Sequence, residues 1–522
     1  MASIPIEGVS DSWLDPGTYI ELNFAQGPAT ASAGERPICL VMPVTASGTW
    51  TANTMYQPNG EAEVEAGAGA GSMLHRAYRA AAQSAPASKI YCVPYAATSV
   101  GAPAAATFAI TWAGGANPTA NGRTTVEVGG PGMNGVLASY DFDILDTPTT
   151  IAAAIKLAIN SATWLPVTAD NAAGVLTLTA KIMGASQGTG TIKGIRVRTY
   201  IDSGCTLTIT ASGNLGDTVA GADGTTTEVA NFTAALATMT GVRRYWLGSS
   251  LPATLGHTAL KAHLAAISTP RPGFRSQGVV CYTGTQAAAE TAAVAQNYER
   301  ITLVHQTGTN HDAAHLVGSI IGTLQKAYEA DATANLNGIA LPGIDAAYAV
   351  ADWPDGDDRN DALTDGVTCI GSNEGGAYLV KHVTTRSKTT AGGTVPDLRA
   401  WAGHKVSGAD HFADTVLVRH QQAFAGYKLI DDQLDANGAV NPNQALPRKT
   451  TTPFWVKRWV AGIYDEYGPS GLNHLQNIEA SKEALRVVRD PNRPQRTEAA
   501  LKIEVIDLYD QATFRIDEVS AG

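Results

Sequence analysis

Three stretches hold residues whose types and spacing could do chemistry. GAGAGS at 67–72 runs into an apolar helical pattern, and a glycine-rich turn at a helix N-terminus can present backbone N–H groups to a phosphate. It lacks the Gly-Lys-Ser/Thr of a Walker A loop and fits G-x-G-x-x-G only loosely. The competing reading is a tight turn that lets the helix pack on a sheet. His305, His311 and His315 with Asp312 form the sharpest metal-like group. His311 and His315, four apart in HDAAH, share a helix face. A zincin would need Glu where Asp312 stands, and the shorter acid would not place the base alike. The competing reading is a helix N-terminus with Asn310 capping and Asp312 in the first turn. Asp352, Asp355, Asp357, Asp358 and Asp361 offer oxygens that suit calcium. The glycine and closing Glu of an EF-hand are not matched, so a solvated acidic loop is expected. No catalytic, cofactor-binding or metal-ligating residue is assigned, and no cofactor is expected.

Composition points away from nucleic acid and membrane. Of 522 residues, 44% are hydrophobic and 16% charged, with a net charge of −11. That is a folded, low-charge chain long enough for several domains. A negative surface repels phosphate backbones. No run of 18 apolar residues predicts a membrane helix, and no basic-then-apolar leader is evident. Cys39, Cys92, Cys205, Cys281 and Cys369 are far apart and form no C-x-x-C. They read as buried free thiols in a reducing compartment. The chain is expected to be made and used in a cytoplasm, or released by lysis.

The elements that would position these residues follow from periodicity. Residues 36–44, the glycine turn with its helix, and 88–95 give a β-α-β order. Residues 101–220 change to short alternating Thr/Gly/Val runs with polar turns, interrupted by TPTTIAAAIKLAINSA. There Thr147 suits the cap and Pro148 the first helical position. This predicts a small β-sandwich carrying a helix, inserted into an α/β domain. From 225 to 400 the α/β pattern returns, with helices over 257–268, 286–299 and 311–329. From 405 the chain reads helical through 432 and again after Thr452 and Pro453.

Two terminal stretches read as strands. Leu501, Ile503 and Val505 alternate with Lys502 and Glu504, followed by Ile506 and Leu508. Near the other end, Ile20, Leu22 and Phe24 share one face and Tyr19, Glu21 and Asn23 the other. Loose flanks surround the second stretch, and about ten extended residues reach roughly 35 Å. Two strands on arms are what a strand-exchange assembly needs. The competing reading of the C-terminal stretch is the last strand of its own domain.

The chain resembles contractile-tail sheath proteins, most closely those of Mu-like tailed phages. DPGTYIELN is similar to the family's opening, and AGAGSMLHRAYRAAAQSAP to its glycine turn plus helix. LTDGVTCIGSNEGGAYLVKHVTT (363–385), KLIDD (428–432) and TPFWVKRWVAGIYDEYG follow its order. LRVVRDPNRPQR (485–496) has the family's Arg-and-Asn loop in a looser form. The resemblance covers nearly the whole chain and is carried by order and spacing.

The resemblance implies a virion tail component, assembled in the host cytoplasm, that is not an enzyme. It implies a split α/β core with an inserted β-sandwich-like domain and a C-terminal α+β domain with strand-exchanging arms, an α+β / α/β multidomain chain. The divisions are an N-terminal arm (1–30), core (31–100 and 223–400), insertion (101–222) and C-terminal domain (401–522). The expected partners are the chain itself as a helical homo-oligomer of stacked rings, a tail tube protein, and baseplate and tail terminator proteins. The two terminal stretches would make the subunit mesh. Arg419, Lys428, Lys457 and Arg458, which otherwise read as a solvated helical face, would be a basic patch toward the tube. Contraction would drive the tube through a host envelope for genome delivery, or for injection by a headless phage-derived device. Two readings of other classes stand beside this one: a nucleotide-binding α/β enzyme resting on GAGAGS, and a surface-binding module resting on the Thr/Gly-rich segment.

Overall fold

The computed structural model describes residues 36–45, 47–96, 104–114, 117–129, 136–181, 195–222, 227–251, 254–271, 273–282, 284–309, 311–347 and 350–508. β1 (Ile38–Val44) is buried along almost its whole length, the signature of a central parallel strand covered on both faces. α1 (Glu61–Ala68) and α2 (Met73–Ser84) lead into β2 (Ile90–Ala96), which pairs with β1 in parallel from Ile38 opposite Ile90. The Ser72 hydroxyl caps α2 by accepting from the His75 N–H at 3.1 Å.

The chain then leaves this sheet. β3 (Thr107–Ala113), β4 (Gly122–Gly129) and β5 (Val136–Phe142) precede α3 (Pro148–Ser161). β6 (Val167–Ala172), β7 (Val175–Ala180), β8 (Arg196–Ile201), β9 (Thr208–Ile209) and β10 (Gly213–Asn214) follow. They make two four-stranded antiparallel sheets, ordered β10-β8-β4-β5 and β6-β7-β3-β9. Their inward residues, among them Phe108, Ile110, Val126 and Leu178, close with Ile151, Ile155 and Ile159 of α3 into one apolar core. Thr147 caps α3, its hydroxyl accepting from the Thr150 N–H at 3.2 Å. At the root, Ala104 and Ala222 exchange two backbone hydrogen bonds, both 3.0 Å.

After this excursion come α4 (Thr227–Ala237), β11 (Trp246–Ser249), α5 (Thr254–Ile267), β12 (Gln277–Tyr282), α6 (Gln286–Gln296), β13 (Ile301–His305), α7 (Ala313–Ala330), β14 (Ile339–Ala340), α8 (Gly356–Thr364), β15 (Val367–Asn373) and β16 (Gly376–Leu379). The completed sheet runs β14-β16-β15-β13-β12-β11-β1-β2, parallel from β15 to β2. Alternate β1 residues serve two layers, as the strand period of two requires. Ile38, Leu40 and Met42 join α2 and α7, and Cys39 and Val41 join α4, α5 and α6. α7 lies close on α2: a Cβ on Gly318 would come within 2.3 Å of the Ala77 carbonyl oxygen.

The remainder is α9 (Gly403–Ala423), β17 (Lys428–Leu429), β18 (Thr450–Thr451), α10 (Pro453–Tyr467), β19 (Leu475–Gln476), α11 (Ile478–Ala484), β20 (Arg486–Arg489), β21 (Thr497–Ala500) and β22 (Glu504–Val505). Phe412 and Val416 of α9 pack on Val460, Ile463, Tyr464 and Tyr467 of α10, with Leu475, Leu485 and Ile503 beneath. The strands here form three two-stranded ladders: β17-β18, β19-β22 and β20-β21.

Several local expectations change. The acidic stretch is not a loop: Asp355 and Asp358 form a capping box that starts α8, so the carboxylates serve the first turn of a helix. Asp312 itself, rather than Asn310, is the N-cap of α7, accepting from the Ala314 and His315 N–H groups at 2.8 and 3.1 Å. Helix α9 ends at Ala423, since Gly426 turns the chain with φ +71°. Lys428 therefore sits on a strand. Thr452 occupies the N-cap of α10, but its hydroxyl makes no cap bond; Asp432 Oδ1 instead accepts from the Phe454 N–H at 3.0 Å. Near the end, 501–503 carry the predicted alternation of burial, while the paired residues are 497–500 and 504–505.

Candidate assembly site

The glycine turn is filled by its own protein. Gly69 and Gly71 have φ of +87° and +72°, which favours glycine. A Cβ on Gly71 would approach the Leu165 carbonyl oxygen to 2.3 Å, and one on Gly67 the Trp50 ring to 2.1 Å. The turn holds α2 against both β1 and the insertion, where Lys181 Nζ donates to the Ala70 and Thr163 carbonyls at 3.2 and 2.6 Å.

The histidine group is likewise committed to backbone. His315 Nε2 donates to the Gly343 carbonyl at 2.8 Å, and His311 Nε2 accepts from the Asp345 N–H at 3.1 Å. The two rings stack at 4.8 Å. His305 Nδ1 bonds the Tyr282 carbonyl at 2.9 Å. Burial, then the neighbouring His315, pushes His311 down to about 3. The buried Asp312 carboxylate is met by Arg76. Among the described residues, no three His, Cys, Asp or Glu side chains are grouped to hold a metal ion. A G-x-S-x-G run, GASQG at 184–188, lies outside the described residues.

The built electrostatic site is elsewhere, where α9 crosses the N-terminal ends of the parallel strands. Arg36, Arg275 and Arg300 stand just before β1, β12 and β13, and Arg243 three residues before β11. α9 presents Ser407, Asp410 and Asp414, spaced three and four apart and so on one face. Arg300 grips Asp410 through two 2.9 Å bonds. Arg275 and Arg243 reach Asp414 at 2.8 and 2.7 Å. Arg36 donates to the Ser407 hydroxyl at 2.6 Å and stacks over Tyr245 at 4.6 Å. The Tyr245 hydroxyl donates to Asp410 at 3.1 Å and accepts from Gln277 at 2.8 Å. Burial alone would raise the Asp410 carboxyl; the Arg300 guanidinium overrides it and holds it below the ordinary carboxylate range. Sequence reasoning missed this seam. Its only visible trace was an arginine preceding several apolar strands.

The predicted contact residues separate into groups. Arg419 is bound in a two-pronged ion pair to Glu466, with Nη2–Oε1 at 2.7 Å. Lys457 and Arg458 lie in the first turns of α10, Arg458 over the Trp455 ring at 5.3 Å. Arg458 and Glu466 are about 12 Å apart along the helix axis by rise alone. Lys428 is exposed on β17. The structure thus places Lys457 and Arg458 together, with Arg419 neutralised nearer the other end of α10.

In the C-terminal stretch, Ile503 and Val505 are buried in their own domain, and Leu501, Ile506 and Leu508 half-buried. β22 pairs antiparallel with β19, and Ile506 N–H extends the ladder to the His474 carbonyl at 3.1 Å. Tyr19, Ile20, Glu21, Leu22, Asn23 and Phe24 lie outside the described residues.

No protein-family model matches the chain, and no curated protein matches it. Among solved structures, a sheath tail protein from Desulfitobacterium hafniense is similar at 14% identity and a TM-score of 0.43, covering 94% of this chain and 100% of that one. A sheath tail protein from Listeria innocua is similar at 14% identity and a TM-score of 0.45, covering 92% of this chain and 94% of that one.

Proposed function

We propose that the chain is a structural subunit of a contractile tail sheath, polymerising on itself as stacked rings around a tail tube and shortening to drive that tube through an envelope. The observation that carries the reading is the set of unfinished ladders in the C-terminal region. β19-β22 and β20-β21 have two strands each among the described residues, so each keeps open edges. Isolated two-stranded ladders are marginal in water, and open edges are templates for another strand. With Ile503 and Val505 anchored at home, those ladders are the receiving side. Residues 19–24 and the chain beyond 508 are the giving side. Each added backbone hydrogen bond contributes about 0.5–1.5 kcal/mol net. One arm is weak, and many repeats form a mesh that stays linked while subunits turn. The ordered resemblance along nearly the whole chain supports the same reading, with Lys457 and Arg458 facing the tube.

Negative-stain electron microscopy of the purified protein tests it. Hollow striated tubes of uniform width are expected, and deletion of residues 1–25 is expected to abolish them while the subunit stays folded. Normal polymerisation of the deletion variant would refute strand exchange.

A further inference from the structure

One arginine of the seam differs from the other three. Arg300 holds both oxygens of Asp410, and Arg243 and Arg275 share Asp414. Arg36 is just as deeply placed, 3% exposed, yet among the described residues it meets no carboxylate. Its guanidinium donates to the Ser407 hydroxyl and carbonyl at 2.6 and 3.2 Å and lies over the Tyr245 ring. A guanidinium carries five N–H donors in a fixed fork, so most of its donors remain to be met. One turn along the same face of α9 from Ser407, His411 is 6% exposed, and its Nδ1 is buried without a hydrogen-bond partner.

The charges around Arg36 leave it in excess. At the margin Asp331 pairs with His474 at 3.0 Å, its side chain 53% exposed. Asp507 is met by Lys405, and Glu299 by Arg386. Burial, then the Asp410 carboxylate, pushes the Tyr245 hydroxyl up, so it supplies no anion. Four guanidiniums therefore face Asp410, Asp414 and, from the edge, Asp331. One positive charge is left over, and it sits on the arginine that has no carboxylate. A buried charge without a counter-charge is strongly destabilising. We propose that Arg36, with Ser407 and His411, holds a single small monovalent anion of chloride size beneath α9. The charge count sets the valence, since a doubly charged oxyanion would overshoot it. The enclosure of Arg36 and His411 sets the size. A spherical anion accepts from guanidinium and ring N–H groups without demanding a planar fork, and the Ser407 hydroxyl, already accepting from Arg36, can turn its own proton toward it. The bound ion would rivet α9 to the start of β1. The inference does not rest on the assembly reading.

The full chain tests it, with sodium gluconate replaced stepwise by sodium chloride at constant ionic strength, so that general screening is unchanged. The urea midpoint of the transition that carries α9 is expected to rise with chloride and then saturate, as for any ligand of the folded state. The midpoint of the insertion should stay fixed. Excess quadrupolar line width of the chloride NMR signal should appear with the protein and be removed by bromide. Both responses should be lost in Arg36→Gln. Should that variant fail to fold, His411→Phe, which removes a donor and no charge, is expected to weaken chloride affinity roughly fivefold. Equal midpoints in chloride and gluconate, with no excess broadening, would overturn the site. A response of full size in Arg36→Gln would mean an adventitious ion only. A response that appears only in Glu35→Gln would show that a carboxylate of the preceding segment already neutralises Arg36, and would overturn it too.

Discussion

The insertion and the α9 seam solve the same problem, holding two layers together, with opposite materials. Between its two sheets the insertion puts Phe108, Ile110, Val126, Leu178 and the isoleucines of α3. The seam puts four arginines, two aspartates and a tyrosine hydroxyl between α9 and the core sheet. Apolar packing is undirected and tolerates small slips. A buried guanidinium–carboxylate pair works only in one geometry, because a displaced charge is left without solvent or partner. The difference teaches what each joint does: the first gives cohesion, the second fixes an orientation.

The comparison can be broken by mutation. The largest effect is expected from Asp410→Ala, which removes the buried carboxylate gripped by Arg300 and should cost about 3–5 kcal/mol. Urea unfolding should show this loss in a transition that excludes the insertion; a cost below about 1 kcal/mol would mean the charges are solvated after all. Leu178→Ala should cost about 2–5 kcal/mol by leaving a cavity, confined to the insertion and independent of pH. Lowering pH from 6.5 to 5 should weaken the α/β core by about 2 kcal/mol for each buried histidine held near 3, His311 and His382 among them. The sign follows because the depressed histidines stabilise fully above 6.5 and lose that stability as pH falls. The insertion should not follow, and parallel curves for the two regions would erase the contrast. Smallest, Thr147→Ala should remove the α3 cap at a cost of about 1 kcal/mol, read as a fall in the insertion's midpoint alone.

Much of this architecture was legible in the residues. The continuous apolar runs of β1, β12 and β13 declare strands buried on both faces, and Thr147-Pro148 declares a helix start. What escaped were features made by partners distant in sequence. Asp410 and Asp414 look like the solvent face of an amphipathic helix until Arg300 and Arg275, more than a hundred residues earlier, are brought beneath them. Asp432 shows no sign of capping α10 until the chain between them folds back. The acidic run at 352–361 misled differently. Its carboxylates were weighed as ligands or a loop, while the Asp355-to-Asp358 spacing was a helix start. The terminal strands were seen as a period but not as registers, because alternation shows which residues face inward and not which neighbour they pair with.

The two bonds between Ala104 and Ala222 have a consequence for how such a chain can vary. Seen from the core, the whole excursion enters and leaves at one point, as a tight hairpin would. Closure entropy rises only logarithmically with the length of what is enclosed. Apart from the contacts of Leu165 and Lys181 with the glycine turn, the parent sheet is thus nearly indifferent to what hangs from that root, and the excursion can be shortened or re-surfaced away from them without renegotiating the strands it interrupts.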